Sequence, residues 1–313
     1  MQYSTFAAID IGSYDVILEI FEISKKQGIR SVDKICHRME LGKDTYTLGK
    51  IRPEMEEELC RVLADFVRIM EGYRVDAYRA MASSAISEAA NSLYVLGKIR
   101  QLTGLSVTVL SNSEQRFLGY KALAAMEDNF NKVIEKGTAI LDLDGGSFQI
   151  SLFDKDALVT TQNIRMGSLR VRERLAGIQS ETEHYEEMVE ELIWNEVSSF
   201  KKMYLKDRKI ENIMLIGDVF TDSVYQNIEE KTTKIISREN FNTWYEKIIR
   251  QSPMELAVKL GIPLENASLM YPSAVIYKCL IDMMEAEHVW IPGVHMTLSL
   301  IHISEPTRHL RIS

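Results

Sequence analysis

A strand, a tight turn and a second strand occur twice in this chain, and this repetition constrains the fold more than any other feature. The first copy spans Phe6–Phe21, with its turn after Asp10, and the second spans Thr138–Phe153, with its turn after Asp142, about 130 residues further on. Short β-rich runs joined by turns that contain Gly and Ser are typical of hairpins. We therefore expect a duplicated architecture with one such hairpin in each half.

The length and the pattern between the hairpins predict two α/β domains. A chain of 313 residues is long enough for two domains of ordinary size. Strand and helix patterns alternate after each hairpin, which is typical of α/β folds. A polar stretch, residues 127–136, separates the halves, so we predict domains at residues 1–126 and 127–297. The main predicted helices are Glu54–Glu71, Ser83–Arg100 with a break near Asn91, Glu114–Met126, Glu181–Tyr204 and Pro272–Met284.

The last residues do not continue this pattern. Residues 298–313 include the run LSLIHISEPTR, which resembles a translated sequencing adapter. We therefore expect this tail to be non-native and exclude it from the fold, as is done for engineered scars. On this interpretation the natural chain is cut off before its true end.

Composition and charge disfavour several classes of protein. The net charge is −8, which argues against general binding to DNA because attraction to phosphate requires a basic surface. No run of about 18 apolar residues occurs, so no membrane span is expected. The N-terminus lacks the features of a signal peptide, and three scattered cysteines are typical of a reducing compartment, so we expect a cytoplasmic protein. The isolated histidines are expected to be packed or exposed rather than metal ligands: His37, His184, His288 and His295.

Both turns carry residue types that bind phosphate. Glycine allows close approach of the backbone to a ligand, a tight turn directs N–H groups inward, and serine adds a hydroxyl donor. Asp10 and Asp142, at the strand ends, are placed to hold a hydrated Mg²⁺ between the protein and a phosphate. One such turn is more often structural than functional, whereas two, one per domain, predict a cleft that clamps a polyanion from both sides. The candidate binding residues are Gly12, Ser13, Asp144, Gly145, Gly146 and Ser147.

Five segments, in this order and spacing, resemble the exopolyphosphatase/guanosine pentaphosphate phosphatase (Ppx/GppA) family. They are Ala7–Leu18, Ala82–Asn91, Val109–Gly119, Ile140–Ser151 and Ile164–Leu175. The resemblance implies two ribonuclease-H-like domains of the actin-like ATPase superfamily with an inter-domain cleft. It also implies Mg²⁺-dependent removal of terminal phosphate from polyphosphate or from the guanosine nucleotide pppGpp, and pairing into a homodimer, which is common in the family.

Several positions depart from the family patterns where the resemblance implies catalytic roles. Ser87 stands where the family has an arginine that contacts substrate phosphate. Gln115 stands where the family has the glutamate proposed as general base, and Gln149 where it has a glutamate that organises metal and water. Asp144 replaces the first glycine of a triple glycine, and Asp15 replaces a serine. The catalytic positions carried over are Asp142, Gln115, Gln149 and Ser87.

These departures leave the activity open. A glutamine amide cannot accept a proton at neutral pH, so Gln115 cannot be a general base, a role that contributes about 10²–10⁴-fold to the rate. Glu114 points about 100° away around its helix and is not expected to replace it. Asp15 and Asp144 add negative charge where a phosphate should sit, unless a cation lies between. Three hypotheses remain: a weakened phosphohydrolase that uses other groups, with Asp144 or Asp15 as new metal ligands; a non-catalytic binder that acts as a sensor or regulator; and a fold that binds little.

Two further features have open interpretations. The segment Arg165–Arg174 contains four arginines, which form either a solvated helix start or a positive border for a long polyphosphate chain. A sugar kinase or ATPase of the same superfamily would require a Gly-rich adenosine loop in the second domain. The corresponding stretch, GDVFTD at residues 217–222, fits such a loop poorly.

Overall fold

The computed structural model describes residues 4–24, 28–126, 130–176, 185–206, 208–217, 219–227 and 235–293. These residues form two compact units, with the boundary between Ala122 and Leu123. The predicted domain limit at residues 126/127 stays a prediction. The predicted non-native tail, residues 298–313, lies outside the described residues, as do His184, His295 and the start of the predicted helix Glu181–Tyr204.

The first unit contains a mixed sheet. Its strands are β1 (Ser4–Ile11), β2 (Asp15–Ser24), β3 (Gly28–Arg38), β4 (Ala77–Ala82) and β5 (Val107–Val109). The strand order is β3-β2-β1-β4-β5, in which β1, β2 and β3 form an antiparallel meander while β4 and β5 run parallel to β1. The helices of this part of the chain are α1 (Leu41–Leu48), α2 (Pro53–Gly72), α3 (Ser84–Ser87), α4 (Ser92–Thr103) and α5 (Asn112–Met126), and the unit boundary falls within α5.

Hydrophobic side chains cover both faces of the first sheet. Successive residues of a strand face opposite sides of a sheet, so β1 contributes to two cores. Ala7 and Ile9 pack with residues of α2 and α4, whereas Phe6 packs in a second core that includes Leu118 of α5. Asp10 therefore lies on the face of the sheet that α5 covers.

The second unit contains another mixed sheet. Its strands are β6 (Thr138–Leu143), β7 (Phe148–Asp154), β8 (Ala157–Ile164), β9 (Asn212–Ile216), β10 (Ile235–Ser237) and β11 (His288–Trp290), in the order β10-β11-β9-β6-β7-β8. Its helices are α6 (Phe130–Ile134), α7 (Ser168–Leu175), α8 (Tyr185–Phe200), α9 (Val219–Asn227), α10 (Arg238–Ile249), α11 (Pro253–Leu260) and α12 (Leu264–Met284). A π-helical turn, Lys201–Leu205, follows α8.

One face of the second sheet carries the main core of this unit. Leu141, Leu143 and Ile150 are buried there with residues of α7, α8, α10, α11 and α12. Asp142 and Gln149 alternate with these residues along β6 and β7. Because of this alternation, both polar side chains face away from the core.

The two sheets share a topology. In each, an antiparallel meander of three strands is followed by strands parallel to the first, so β8-β7-β6-β9-β11 corresponds to β3-β2-β1-β4-β5. The predicted α/β fold and the predicted duplication of the hairpin are therefore confirmed. None of the helices within the described ranges is long and apolar enough to cross a bilayer.

Sequence patterns located most elements but placed one helix wrongly. The predicted helix Pro272–Met284 in fact begins at Leu264, so that Pro272 lies inside α12. Proline lacks the N–H of the helical ladder and is more common at a helix start, but Pro272 is buried, and packing of α12 in the core outweighs this preference. The predicted break near Asn91 is confirmed between α3 and α4, where the Asn91 side chain bonds the N–H and the carbonyl of Ile51. Helices α1, α6, α9, α10 and α11 were not predicted.

Candidate functional site

Two of the predicted catalytic positions and one predicted metal ligand lie at one edge of the first sheet. Strands β1, β4 and β5 are parallel, so the segments that follow them meet at the edge formed by their carboxyl ends. Asp10 is the penultimate residue of β1. Ser87 ends α3, which follows β4, and is exposed; Gln115 lies near the start of α5, which follows β5, and is half-buried. The structure thus brings Asp10, Ser87 and Gln115 to the same edge.

The Ser13 hydroxyl belongs to a group of three hydroxyls. Its Oγ lies 2.6 Å from the Tyr46 hydroxyl and 3.2 Å from Ser84 Oγ, and the Tyr46 hydroxyl lies 2.8 Å from Ser84 Oγ. The backbone N–H of Gly42 also donates to the Ser13 carbonyl oxygen at 2.7 Å. Helix α1 therefore fixes the first turn, and Tyr46 and Ser84 are neighbours of the site that sequence reasoning missed, since neither lies in the turn itself.

Asp15 has a cationic partner within its own unit. Arg38 Nη1 donates to Asp15 Oδ2 at 3.1 Å, and the two residues are directly opposite in β2 and β3. The other carboxylate oxygen stays near the backbone of Gly12, where an added Cβ would lie 3.2 Å from Asp15 Oδ1. Arg38 therefore offsets part of the negative charge that Asp15 adds, a pairing that the sequence pattern did not show.

Glu114 is engaged at the start of α5. Its Oε2 accepts hydrogen bonds from the Ser111 N–H at 2.9 Å and the Ser111 hydroxyl at 2.7 Å, while Ser111 Oγ accepts from the Glu114 N–H. This reciprocal arrangement is a capping box. The bonds from Ser111 lower the pKa of the Glu114 carboxyl, so it is a weaker base than a free glutamate and does not replace the missing general base.

Asp142 and Gln149 are direct cross-strand partners. They face each other in the antiparallel pair β6·β7, and Gln149 in turn faces Asn163 of β8. Directly opposite residues have Cβ atoms about 4.5–5.5 Å apart. A polar row of Asp142, Gln149 and Asn163 therefore runs across three strands, and Gln149 within it is buried.

The turn between β6 and β7, residues Asp144–Ser147, is closed by its own hydrogen bonds. We call it the second-unit loop. The Asp144 N–H donates to the Ser147 carbonyl oxygen at 3.0 Å, and the Gly146 N–H donates to Asp144 Oδ1 at 3.1 Å. Asn163 Nδ2 donates to Ser147 Oγ at 3.3 Å. The Asp144 side chain therefore helps to fix the conformation of the loop. Its replacement of the first glycine in the family's triple glycine did not predict this role.

Helix α7 packs directly on the second-unit loop. The Ser168 N–H donates to the Asp144 carbonyl oxygen at 3.1 Å, and the Arg170 N–H donates to the Gly145 carbonyl oxygen at 2.9 Å. A Cβ at Gly167 would lie 2.3 Å from the Asp144 carbonyl oxygen and 2.4 Å from the Ser147 nitrogen. Only glycine permits this approach, so Gly167 is a site residue that a Gly just before a helical pattern could have revealed.

Gly217, which follows β9, stands against Asp142. It has φ +103°, and an added Cβ would lie 2.4 Å from Asp142 Oδ1 and 2.7 Å from the Leu143 carbonyl oxygen. The Tyr277 hydroxyl of α12 donates to the neighbouring Ile216 carbonyl oxygen at 3.2 Å. Residues 217–222, which fit an adenosine loop poorly, therefore begin beside Asp142, the candidate metal ligand. The close approach of Gly217 helps to position the Asp142 carboxylate.

The basic segment does not form one continuous feature. Arg170 Nε donates to the Gly146 carbonyl oxygen at 2.8 Å. Arg172 donates to Ser268 and pairs with Glu173, and Arg174 contacts the Met166 sulfur. Arg165 is exposed. Neither a uniformly solvated helix start nor a continuous positive border describes these four residues.

The donor set around Asp142 fits Mg²⁺ held jointly with a substrate. Within the described ranges, no cluster of three or more histidine, cysteine or acidic side chains could hold a metal ion. Mg²⁺, however, commonly takes one or two protein carboxylates and completes its shell with water and substrate phosphate. Asp142 and the Gln149 amide beside it offer oxygen donors of this kind, and Asp142 would hold the ion.

The fold is α/β, in two units that each contain a three-stranded antiparallel meander and strands parallel to the first. Residues 19–295 match the model of the Ppx/GppA phosphatase family. The chain belongs to this family. The matched range begins after the first turn, so Asp10, Gly12 and Ser13 lie outside it.

Curated relatives are distant and longer than this chain. A bifunctional 3-dehydroquinate synthase/phosphatase of Fusobacterium nucleatum is 21% identical over 238 residues, which cover 72% of this chain and 34% of the relative. Exopolyphosphatase 1 of Mycobacterium leprae is 25% identical over 144 residues, covering 46% of this chain and 41% of the relative. The chain thus spans about a third to two fifths of the length of these relatives.

Solved structures match the fold over nearly the full chain. An exopolyphosphatase from Cytophaga hutchinsonii has a TM-score of 0.84 at 15% identity and covers 96% of this chain and 97% of its own. The Ppx/GppA family member of Aquifex aeolicus has a TM-score of 0.75 at 18% identity, with 97% and 98% covered. At these identities the likeness establishes the fold.

Proposed function

We propose that the protein is a cytoplasmic Mg²⁺-dependent phosphohydrolase that releases terminal phosphate from polyphosphate or pppGpp, with slow turnover. The observation that carries this proposal is the Asp142–Gln149 pair next to the second-unit loop, at the end of a strand in a member of the Ppx/GppA phosphatase family. A Gly-rich turn at a strand end can direct backbone N–H groups toward phosphate oxygens. The proposal includes pairing into a homodimer, which light scattering of the purified chain tests.

The chain's own residues divide into binding and orienting roles in this proposal. Asp142 holds the ion, whose bound charge would stabilise negative phosphate oxygens, and the Ser147 hydroxyl and the loop backbone contact the phosphate. Gln149 orients a ligand of the ion through its amide. Gln115 can orient a water molecule but cannot accept its proton, which accounts for slow turnover.

A second candidate function is binding without turnover, as a sensor or regulator of polyphosphate or a guanosine nucleotide. Two observations favour it. Gln115 cannot act as a base, and the neighbouring Glu114 carboxylate is committed to Ser111. The two candidate functions share the same binding residues and differ in whether phosphate is released.

Phosphate release from polyphosphate and from pppGpp, measured with Mg²⁺ alongside calorimetric binding, tests both candidates. We expect slow release that Asp142→Asn abolishes, together with a loss of binding of about 10-fold or more. Asp156→Asn is the matched control, because Asp156 is an exposed aspartate in the turn that follows β7, with φ 64°, which asparagine tolerates. Binding without release supports the sensor, and absence of both overturns the proposal.

A further inference from the structure

Arg170 contacts the second-unit loop at two points. Its backbone N–H donates to the Gly145 carbonyl oxygen at 2.9 Å. Its side-chain Nε donates to the Gly146 carbonyl oxygen at 2.8 Å. The half-buried side chain therefore lies against the loop instead of extending into solvent.

Gly146 is held from both sides by ionised groups. Its N–H donates to Asp144 Oδ1 at 3.1 Å, and its carbonyl oxygen accepts from Arg170 Nε at 2.8 Å. Hydrogen bonds to charged groups are roughly twice as strong as those between neutral groups. A carboxylate and a guanidinium together therefore fix the orientation of this one glycine.

The neighbouring arginines make different contacts. Arg172 Nη1 donates to Ser268 Oγ at 2.8 Å, which directs it toward α12. Arg174, one turn further along α7, is exposed and contacts the Met166 sulfur. Arg174 thus carries the same charge on the same helix without a contact to Gly146, and it provides a matched control.

We propose that Arg170 is a positioning residue of the phosphate site, which acts through Gly146 to hold the second-unit loop in the conformation that receives a phosphate group. This inference rests on the proposed function for its consequence in binding. A guanidinium suits the role because its planar N–H groups are fixed in direction, whereas a lysine ammonium is a flexible point charge. Loss of Arg170 therefore weakens polyanion binding through loop geometry, beyond the removal of one positive charge.

Amide hydrogen exchange of the peptide that covers residues 144–148 tests the positioning role without any ligand. In Arg170→Met and Arg170→Lys we expect this peptide to exchange about 10-fold faster or more, because a charge-assisted bond that restrains the loop is lost. Arg174→Met should exchange as the wild type does. Unchanged exchange in Arg170→Met overturns the proposal, and Arg170→Gln serves as a second variant if Arg170→Met does not fold.

Calorimetry with tripolyphosphate and Mg²⁺ tests the consequence for binding. We expect Arg170→Met and Arg170→Lys to weaken binding by about 10-fold or more, and Arg174→Met to stay within about 2-fold, since an exposed charge is screened by salt. Equal losses in Arg170→Met and Arg174→Met, or wild-type affinity in Arg170→Lys, would show that charge alone matters and overturn the positioning role. If the wild type binds no tripolyphosphate, the proposed function is refuted. The hydrogen-exchange experiment, which needs no ligand, still tests the positioning role of Arg170.

Discussion

At the scale of single residues, the second-unit site is organised around Asp142. Its carboxylate lies between Gln149, its partner on β7, and the α-carbon of Gly217. This arrangement leaves no room for a side chain at position 217. The available space, as well as the chemistry of the carboxylate, therefore limits which residues can surround Asp142. A glycine is required at position 217 both by its positive φ and by the carboxylate beside it.

Gly217→Ala should lower the free energy of unfolding by about 3 kcal/mol or more, because the new methyl group must displace Asp142 or Leu143 in addition to adopting a left-handed backbone. Gly261→Ala is the control, since φ is +65° there and nothing lies within 4 Å of the added Cβ. The control should lose about 1 kcal/mol from backbone strain alone. Urea unfolding measures both values, and equal losses would show that Gly217 does not press on Asp142.

Cys36 should be unreactive at neutral pH. Desolvation and the negative charge of Asp15 raise the pKa of its thiol from 9.0 to about 11. Because the thiolate is the reactive form, alkylation at pH 8 should be about 100-fold slower than for an ordinary thiol, and its rate should rise with pH up to at least 10. Peptide-resolved mass spectrometry measures this profile. A plateau near pH 9 would contradict the raised pKa, and Asp15→Asn should speed alkylation.

At the scale of elements, helix α5, which carries Gln115, begins with a capping box that Glu114 completes. The bonds from Ser111 lower the pKa of the Glu114 carboxyl in the folded state. The stabilisation from this group is therefore present above the ordinary carboxyl pKa of 4.5 and is lost as the pH falls through the lower folded value. A residue that caps a helix in this way has a structural reason to be acidic.

Glu114→Gln separates a capping role from a catalytic one. Glutamine also completes a capping box, so neutral-pH stability should fall only by the contribution of the carboxylate charge, while the stabilisation that varies with pH below 4.5 should disappear. Any phosphate release by the wild type should persist within a few-fold. A loss of about 100-fold or more would instead identify Glu114 as the base. Glu255→Gln, in the corresponding capping box of α11, is the matched control.

Much of the fold was predictable from the sequence because hydrophobic spacing and turn residues act locally. The two hairpins, the break at Asn91 and the residues of the second-unit loop follow from such patterns. The start of α12 did not, because the packing around Pro272 depends on distant residues. In the site, the contacts of Asp15 with Arg38, of Ser13 with Tyr46 and of Arg170 with Gly146 join separate elements, so no local pattern contains them.

At the scale of the whole molecule, the chain has two units of one topology, each with polar residues at the end of its first strand. The proposed function assigns binding of a phosphate chain to these residues and slow hydrolysis to Gln115. A ligand that binds only the folded state stabilises it by an amount that rises with the logarithm of the ligand concentration divided by the dissociation constant. Stability measured with and without ligand therefore reports on the site.

Tripolyphosphate with Mg²⁺ should raise the thermal midpoint of unfolding. At 100 times the dissociation constant, a ligand of the native state adds about 2.7 kcal/mol to the free energy of unfolding. Asp142→Asn should abolish most of this gain, and sodium chloride at matched ionic strength should not reproduce it. An equal gain from salt alone would mean that the effect is general screening.

The most direct test of the central claim, that this chain keeps a phosphate site and lacks the general base, is the rate of phosphate release by Gln115→Glu. A glutamate at this position restores the group that the family pattern places there. The account predicts a rise in rate of about 100-fold or more over the wild type with Mg²⁺ and polyphosphate or pppGpp, abolished by adding Asp142→Asn. No rise, in a folded variant that still binds the substrate, would contradict the account.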